Sequence, residues 1–361
     1  MGTRPETDVG SPQDFRSRFH PHPVAYSLVP SPEHDLATHP ENHARFAQLG
    51  EALATLPDGD LLPIVAPDSP GEGELEAVHP AAYRAALEQA VAQGPGYIDY
   101  APTYVTTGSQ EAALRAAAGT LALVEAVVEG KAARAFALVR PPGHHATATR
   151  AMGFCLLNNL ALAARRAQAL GLPRVMIVDF DVHHGNGTQA ITEHDPAILY
   201  VSTHQQGIYP GSGALADTGQ GAGDGSVVNL PLPAGAGDQA FREIAERVFE
   251  PLAARFRPDI LLVSAGFDSH WRDPLANLQL SCAGFYALAR RLMHIADRHC
   301  AGRTVFALEG GYDPQALAAS VAAVLCAMAG REAPDDPLGP APYPEPPIDR
   351  ILDNAAAIHG L

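Results

Sequence analysis

The segment RVMIVDFDVHHGNG (residues 174–187) decides the fold. Its first half is almost continuously apolar, which is typical of a strand buried on both faces of a parallel sheet. In an extended chain Asp179, Asp181 and His183 point to one side, while the residues between them point to the other. Burying carboxylates without partners is costly, and the chain has a single lysine. We therefore favour a bound divalent metal over an internal network of ion pairs.

Outward from this segment, short apolar runs alternate with longer stretches of helical period. Strands are predicted at residues 135–139, 174–180, 197–202, 227–232, 260–264 and 304–308, and helices at residues 110–129, 158–170, 238–255, 283–299 and 314–328. Ser109 and Asp238 stand where helix N-caps are expected. The alternation predicts an α/β fold: a single domain with a mostly parallel, doubly wound sheet and helices on both faces.

The 361 residues are enough for one large domain. We divide the chain into a polar N-terminal segment at 1–19, a domain at 20–331 and a Pro-rich C-terminal extension at 332–361. The extension is predicted to end in a short helix at 348–359, and the Gly-rich stretch at 210–225 is predicted to be a loop.

The charge balance excludes several classes of partner. Lys and Arg number 24 against 40 Asp and Glu, a formal net charge of −16. Nucleic-acid binding and attachment to anionic membranes both need basic patches, which this chain lacks. Its four cysteines form no CxxC pair and are expected to be reduced, buried thiols. Without the apolar stretch of a signal peptide, the protein is expected in the cytoplasm. The sequence allows an oligomer but does not fix the oligomeric state.

Ligands of parallel sheets bind beyond the carboxyl ends of the strands, so the polar residues there are the candidate site. RPPGHHA (140–146) follows one predicted strand and places His144 and His145 in a loop stiffened by prolines. Such a pair suits acid–base work. EGGY (309–312) follows another strand, and the hydroxyl of Tyr312 suits the polarisation of a substrate carbonyl.

A further strand end supplies a third metal-ligand candidate. AGFDSHWRDPL (265–275) places Asp268 at the level of Asp181 and His183. Two carboxylates and one imidazole leave a coordination position open, which is typical of a catalytic zinc site, and the same donors suit Fe²⁺. His270 is interpreted as a loop or rim residue.

Six motifs together carry a family resemblance. They are RPPGHHA (140–146), AMGFCLLNN (151–159), DFDVHHGNGT (179–188), YPGSG (209–213), AGFDSHWRDPL (265–275) and EGGY (309–312). In this order they resemble the histone deacetylase superfamily, above all its class II type and the bacterial histone-deacetylase-like amidohydrolases. HPENHAR (39–45) is similar to the opening segment of that family. The resemblance covers about residues 20 to 330 and implies an arginase/deacetylase-like fold, a deacetylase-like catalytic domain at 20–331 and a metal-dependent deacylase.

The resemblance also implies a role for each residue of the motifs. Asp181, His183 and Asp268 match the zinc ligands of the family. His145 matches the general base that takes a proton from the attacking water and then protonates the leaving amine, and His144 matches its electrostatic partner.

Three more residues match catalytic positions of the family. Asp179 matches the carboxylate that orients His144 and stabilises its positive charge. Tyr312 matches the tyrosine that stabilises the oxyanion. Asn186 backs His145 at a position where class I members carry aspartate, which marks class II and implies a less basic His145.

The resemblance further implies a substrate tunnel and a potassium site. The tunnel positions are Gly153, Phe154, Tyr209, Leu275 and Gly310. The potassium positions are Asp179, Asp181, His183, Ser202 and Thr203. Arg45 matches the arginine at the internal channel of the family.

Three other functions fit these residues less well. The related ureohydrolases hold two manganese ions, but Gly185 and the Gly266-Phe267 pair stand where carboxylates for a second ion would be needed. Acetylpolyamine amidohydrolases share the catalytic residues, yet Leu275 occupies the position of the acidic gatekeeper in polyamine deacetylases. Acyl-lysine in peptides or proteins is therefore favoured over acetylated polyamines, with the acyl chain length open. A catalytically silent acyl-ligand-binding protein is a remote alternative, because no catalytic residue is missing.

Overall fold

The computed structural model describes residues 23–100 and 102–361, so the predicted polar segment at 1–19 lies outside the described residues. The strands are β1 (Val24–Val29), β2 (Leu61–Pro63), β3 (Gly96–Tyr97), β4 (Tyr104–Val105), β5 (Arg134–Val139), β6 (Val175–Asp179), β7 (Ile198–Gln205), β8 (Val227–Leu232), β9 (Ile260–Ala265) and β10 (Thr304–Leu308). Eight of them form one sheet in the order β2-β1-β5-β10-β9-β6-β7-β8. Every pairing in this sheet is parallel, while β3 and β4 form a small antiparallel hairpin.

Helices cover both faces of the sheet. They are α1 (Leu49–Ala54), α2 (Glu72–Glu76), α3 (Ala81–Gln93), α4 (Ser109–Val128), α5 (Asn159–Ala169), α6 (Asn186–Thr192), α7 (Asp238–Ile244), α8 (Glu250–Phe256), α9 (Cys282–His299), α10 (Pro314–Met328) and α11 (Asp349–His359). A π turn (Ala245–Phe249) joins α7 to α8 without a break. The chain therefore folds as one α/β domain.

Alternate residues of the central strands belong to different cores. On β6, Val175 and Ile177 pack with α4 and α5, whereas Met176 and Val178 pack with α9 and α10. A strand with apolar side chains on both faces can lie only between two helical layers. This arrangement confirms the predicted doubly wound sheet.

The predicted elements are found with small shifts of their ends, but the two predicted N-caps are wrong. Helices α4 and α7 begin at Ser109 and Asp238 themselves, and the preceding glycine of each holds the N-cap position. Ser109 Oγ instead accepts the backbone N–H of Thr106, and Asp238 accepts that of Ser281. Both side chains tie neighbouring loops to the helix and do not cap it.

Strands β1 and β2 were not predicted. β1 lies between Pro23 and Pro30 and is interrupted by the polar Ser27, and β2 has only three residues, so neither shows a continuous apolar run. They extend the sheet beyond β5 on the side opposite β6. The sheet thus has eight strands where six were predicted.

The C-terminal extension crosses the domain as a loop and ends in α11, close to the predicted helix. The indole N–H of Trp271 donates to the carbonyl of Gly339 over 3.1 Å. Glu345 accepts backbone N–H groups at the start of α7, including that of Gly237 at 2.8 Å. All four cysteines are free and buried, as predicted. Within residues 23–100 and 102–361, no helix has the length and apolar character needed to span a membrane.

Candidate active site

Four neighbouring strands, β5, β10, β9 and β6, end at one edge of the sheet. The segments that follow them are residues 140–146, 309–312, 265–275 and 179–188, in that order. Since parallel strands place their carboxyl ends together, residues far apart in the sequence meet here. The topology explains why the candidate residues come from four separate motifs.

Asp181, His183 and Asp268 form the possible metal site of the described residues, with one ligand atom from each within 4.8 Å of the others. His183 Nδ1 lies 3.2 Å from Asp181 Oδ1 and 3.2 Å from Asp268 Oδ2. Gly310 closes the cluster, because a Cβ at this position would lie 2.0 Å from Asp268 Oδ2. Only glycine lets the backbone pass so near to the carboxylates.

The charges of this cluster fit a divalent cation. Both carboxylates are buried, and no described arginine or lysine pairs with either. Burial by itself lowers the pKa of His183, but its hydrogen bonds to Asp181 and Asp268 and their charges raise that pKa to about 10. Two buried carboxylates thus favour a positive charge on the imidazole between them. Oxygen and nitrogen donors of this kind suit zinc or ferrous iron.

The tandem histidines lie beside this cluster, with ring centroids 4.0 Å apart. His144 Nδ1 is 3.1 Å from Asp179 Oδ2, and His145 Nδ1 is 2.8 Å from Asn186 Oδ1. An amide oxygen only accepts, so Nδ1 of His145 carries the proton and Nε2 is left as an acceptor in the neutral ring.

The two rings differ in their electrostatics. Burial lowers the pKa of His144, but the charges of the carboxylates around it, led by Asp181, raise that pKa well above its usual value. Burial and the charge on His144 together lower the pKa of His145 well below its usual value. The surroundings therefore favour the charged form of His144 and the neutral form of His145.

Tyr312 lies across the site from the histidines, and Arg45 lies behind it. The guanidinium carbon of Arg45 is 4.8 Å from the centre of the Tyr312 ring. Arg45 donates to the carbonyls of Gly311 at 2.7 Å and Glu309 at 2.6 Å. Burial raises the pKa of Tyr312 well above its usual value, against the opposing charge of Arg45. The tyrosine therefore keeps its O–H proton at neutral pH.

A cavity of about 260 Å³ leads from the surface to these groups. All five predicted tunnel residues line it: Gly153, Phe154, Tyr209, Leu275 and Gly310. Its walls are largely apolar, and His144, His145, His183 and Tyr312 form its polar inner end. Gly153 has a positive φ of 56°, and a Cβ there would lie 2.3 Å from the ring of His145.

The predicted potassium positions also lie together. Ser202 on β7 pairs with Asp179 on β6, and Thr203 Oγ1 donates to the carbonyl of Asp179 over 3.2 Å. Ser202 Oγ lies 2.9 Å from His204 Nδ1.

Three further residues, for which no role was predicted, form hydrogen bonds with residues of the site. The hydroxyl of Tyr200 donates to Asp179 Oδ2 over 3.0 Å, on the same oxygen that faces His144. The carboxylate of Glu309 accepts the backbone N–H of His144 over 3.1 Å, and Asp273 accepts that of Tyr312 over 2.7 Å. Glu309 and Asp273 do lie within the quoted motifs, but only the folded loops reveal their partners.

His270 lies in the loop after β9, as one of its two interpretations predicts, but the other interpretation, a rim residue, is wrong. Its ring is 1% exposed and stacks 6.4 Å from that of Phe285. Its Nδ1 accepts the backbone N–H of Arg272, and its Nε2 lies 3.7 Å from Cys282 Sγ. Its imidazole therefore packs into the core beneath the loop that carries Asp268.

Comparison with known proteins agrees with this geometry. Residues 39–328 match the model of the histone deacetylase domain. The chain is 40% identical to histone deacetylase 14, chloroplastic, of Arabidopsis thaliana, over 94% of this chain and 85% of that protein. It is 39% identical to the histone deacetylase-like amidohydrolase of Pseudomonas aeruginosa, over 73% of this chain and 70% of that protein. The crystal structure of the HDA15 HD domain superposes with a TM-score of 0.84 and 34% identity, covering 94% of this chain and 95% of that one.

The fold and the site define a hydrolytic deacetylase enzyme. The chain belongs to the histone deacetylase family, since the family model covers most of its length and its relatives carry the names of histone deacetylases and of a related amidohydrolase. The family is metal-dependent in general, and Asp181, His183 and Asp268 form a possible metal site in this chain.

Proposed function

We propose that this enzyme is a zinc-dependent deacylase that hydrolyses the amide of acetyl-lysine, or of lysine with a related short acyl group, in peptides and proteins. The observation that carries the proposal is the cavity of about 260 Å³, whose inner end holds His145 and Tyr312 beside the metal-ligand cluster. An amide at that end meets a neutral imidazole and a hydroxyl donor in one narrow chamber. General-base catalysis and oxyanion stabilisation both need such groups within hydrogen-bond reach.

Asp181, His183 and Asp268 would hold the metal ion. Zinc bound there would polarise the acyl carbonyl and lower the pKa of the attacking water toward ~7. Ferrous iron suits the same donors. Because Gly310 has no side chain, only its backbone lies against these carboxylates.

His145 acts as the general base and then as the acid for the leaving amine. Asn186 holds its Nδ1–H, so that Nε2 is free to take a proton. Its pKa is lowered by burial and by the charge on His144, which keeps the ring neutral before the reaction. A neutral ring can accept the proton of the attacking water and deliver it to the amine nitrogen.

His144 and Tyr312 stabilise charge around the reacting amide. Asp179 lies 3.1 Å from Nδ1 of His144 and stabilises its imidazolium form. Tyr312 keeps its proton because burial raises the pKa of its hydroxyl. Its O–H can therefore donate to the carbonyl oxygen as negative charge develops on it.

The tunnel supports acyl-lysine as the substrate. Phe154 and Tyr209 flank a passage fit for an alkyl chain, and Leu275, which is 37% exposed, lies at its outer part. A polyamine would carry a second cation near that position, where an apolar side chain offers it no partner. The net charge of −16 attracts cationic peptides and cationic polyamines alike, so the preference rests on Leu275 and the tunnel lining.

Potassium binding beside the catalytic centre is proposed as well. The resemblance to the family assigns it to Asp179, Asp181, His183, Ser202 and Thr203. The pairing of Asp179 with Ser202 across β6 and β7 supports this grouping. A structural cation there would fix the strand end that carries the metal ligands.

Hydrolysis of defined substrates by protein of known metal content tests the proposal. The protein is stripped with a chelator, reloaded with Zn²⁺ or Fe²⁺, and assayed on acetyl-, longer-acyl- and trifluoroacetyl-lysine peptides beside N-acetylputrescine and N8-acetylspermidine. We expect the peptides to be hydrolysed only by metal-loaded protein. Asp268→Asn should lose the bound metal, while His270→Gln, in the same loop but outside the cluster, should retain it.

Two results would contradict the proposal. Faster hydrolysis of the acetylated polyamines than of every peptide would make the protein a polyamine amidohydrolase. Binding of acyl-lysine peptides without hydrolysis by the metal-loaded protein would indicate a silent acyl-ligand-binding protein.

A further inference from the structure

Glu309 is a fully buried carboxylate that the catalytic scheme above does not use. It directly follows β10 and lies behind the tandem histidines. Its Oε2 accepts the backbone N–H of Gly143 over 2.6 Å and that of His144 over 3.1 Å, and its Oε1 lies 3.3 Å from Ser264 Oγ. Within the described chain, no arginine or lysine forms an ion pair with it. Burial raises the pKa of Glu309 to about 7, against the opposing charge of His144.

The loop that carries the histidines needs acceptors from outside itself. Pro141 and Pro142 have no N–H, so Gly143 and His144 are the first donors after the prolines. A buried N–H without an acceptor is costly, and the strand pairing of β5 has already ended at this point. A single oxygen of Glu309 satisfies both donors.

The same residue also belongs to the loop of Tyr312. The backbone carbonyl of Glu309 accepts a hydrogen bond from Arg45 over 2.6 Å, and Arg45 stacks on the Tyr312 ring. The backbone N–H of Gly310, the next residue, donates to Asp181 over 2.8 Å. Glu309 thus joins the loop of the general base to the loop of the oxyanion tyrosine.

We propose that Glu309 is a positioning residue. Its carboxylate holds the backbone of Gly143 and His144 in place and thereby positions the rings of His144 and His145 relative to the reacting amide. The inference rests on the proposed deacylase function. It assigns to Glu309 a role in geometry and not in proton transfer, since no atom of its carboxylate faces the cavity.

Position and charge can be separated by two substitutions. In Glu309→Gln the amide oxygen can accept both N–H groups, and the amide nitrogen can donate to Ser264. In Glu309→Ala both donors lose their acceptor and a space opens behind the histidine loop. A displacement of about 1 Å in such a site costs roughly 100-fold in rate.

The experiment compares kcat and KM for an acetyl-lysine peptide among four zinc-loaded proteins. We expect Glu309→Ala to lower kcat by about 100-fold with KM nearly unchanged, and Glu309→Gln to keep kcat within about 10-fold of the wild type. Glu345→Ala is the matched control, because Glu345 also accepts backbone N–H groups but at the start of α7. It should lose stability and keep its kcat.

An independent readout is the amide resonance of Gly143 in a ¹H–¹⁵N spectrum, with solvent exchange of that amide. In Glu309→Ala the resonance should move upfield and exchange should accelerate, whereas Glu309→Gln should largely restore protection. If Glu309→Ala does not fold, Glu309→Asp replaces it, because a side chain one methylene shorter draws the carboxylate away from the loop.

The outcomes are distinct. Wild-type kcat in a folded Glu309→Ala protein, or equal loss in the Gln and Ala variants, overturns the positioning role. If the wild type hydrolyses no substrate, the proposed function fails, while the amide of Gly143 still decides whether Glu309 holds the loop.

Discussion

The carboxylate of Asp273 accepts the backbone N–H of Tyr312 over 2.7 Å with one oxygen and that of Leu275 over 2.9 Å with the other. One buried side chain in the loop after β9 therefore fixes both Tyr312, the tyrosine proposed to stabilise the oxyanion, and Leu275, a residue that lines the cavity. Burial and the charge of Asp268 raise the pKa of Asp273 to about 8. The N–H groups of Tyr312 and Leu275 oppose this shift in pKa, because they stabilise the ionised carboxylate.

Asp273→Asn should lower kcat more than it changes KM. An asparagine has one acceptor oxygen, so its NH₂ group faces one of the two N–H donors and displaces it. We expect kcat to fall by about 10- to 100-fold, since either Tyr312 or Leu275 loses its backbone anchor and the loop that joins them to the site shifts. Steady-state kinetics on an acetyl-lysine peptide measures this. Asp60→Asn is the control, because Asp60 is similarly buried but forms an ion pair with Arg331. Asp60 directly precedes β2, the edge strand of the sheet, and takes no part in the site. Equal kcat in the Asp273 variant and the wild type would refute the anchoring role.

Tyr312→Phe should lower turnover far more than substrate binding. The lost O–H is the donor proposed to stabilise the oxyanion, and removal of one such donor costs about 100- to 1,000-fold in kcat. KM and the affinity for an uncleaved peptide analogue should change little. Tyr83→Phe is the control, because it deletes another buried hydroxyl, which donates a hydrogen bond to the carbonyl of Leu156 and does not line the cavity. This variant should keep the wild-type kcat. Hydrolysis by Tyr312→Phe at the wild-type rate would show that its proposed role is wrong.

Asn186→Asp should shift the acidic limb of the pH profile of kcat/KM. A carboxylate beside Nδ1–H of His145 favours the imidazolium form and raises a pKa that burial and the charge on His144 hold below its usual value. A higher pKa means that the base becomes protonated, and inactive, at a higher pH. The limb should move upward by about one to two pH units. Asn186→Ala should lower kcat without that upward shift, and an unmoved limb in Asn186→Asp would contradict the assignment of His145 as the base.

Local patterns in the sequence were enough to predict most of the fold. The central strands and long helices show apolar runs or helical period over enough residues, as in β6 between its two cores. β2 has only three residues, and β1, although as long as the central strands, lies between Pro23 and Pro30 and is interrupted by Ser27, so neither gives such a signal. Their place in the sheet depends on the pairing of β1 with β5 and of β2 with β1, which a local pattern does not contain.

The side chains that face the cavity were predictable for a related reason. Asp181 and His183 interrupt a buried strand end with polar groups on one side, and His144, His145 and Tyr312 follow strand ends of the same edge. Glu309 and Asp273 were not predictable in their roles, because their partners are backbone N–H groups of loops that follow other strands. A main-chain donor leaves no trace in the residue types of the partner segment.

His79 should make the stability of the domain sensitive to acid. Its ring is fully buried, Nε2 accepts the backbone N–H of Asn158 over 2.9 Å, and Nδ1 faces the carbonyl of Ala148 at 3.2 Å. Burial lowers the pKa of His79 to about 4. Because the folded-state pKa is below the unfolded value of 6.5, its contribution to stability is complete above pH 6.5 and is lost as the pH falls toward 4.

His79→Gln tests this contribution, since glutamine can accept one hydrogen bond and donate another without titrating. Between pH 6.5 and about 4, the free energy of unfolding of the wild type should fall more steeply than that of the variant, by about 1.4 kcal/mol per pH unit. Other buried histidines with lowered pKa values, His184, His204 and His270, are common to both proteins, so the difference between the curves isolates His79. Urea unfolding at a series of pH values measures both slopes. Parallel curves would show that the ring of His79 is not held in its neutral form by the fold.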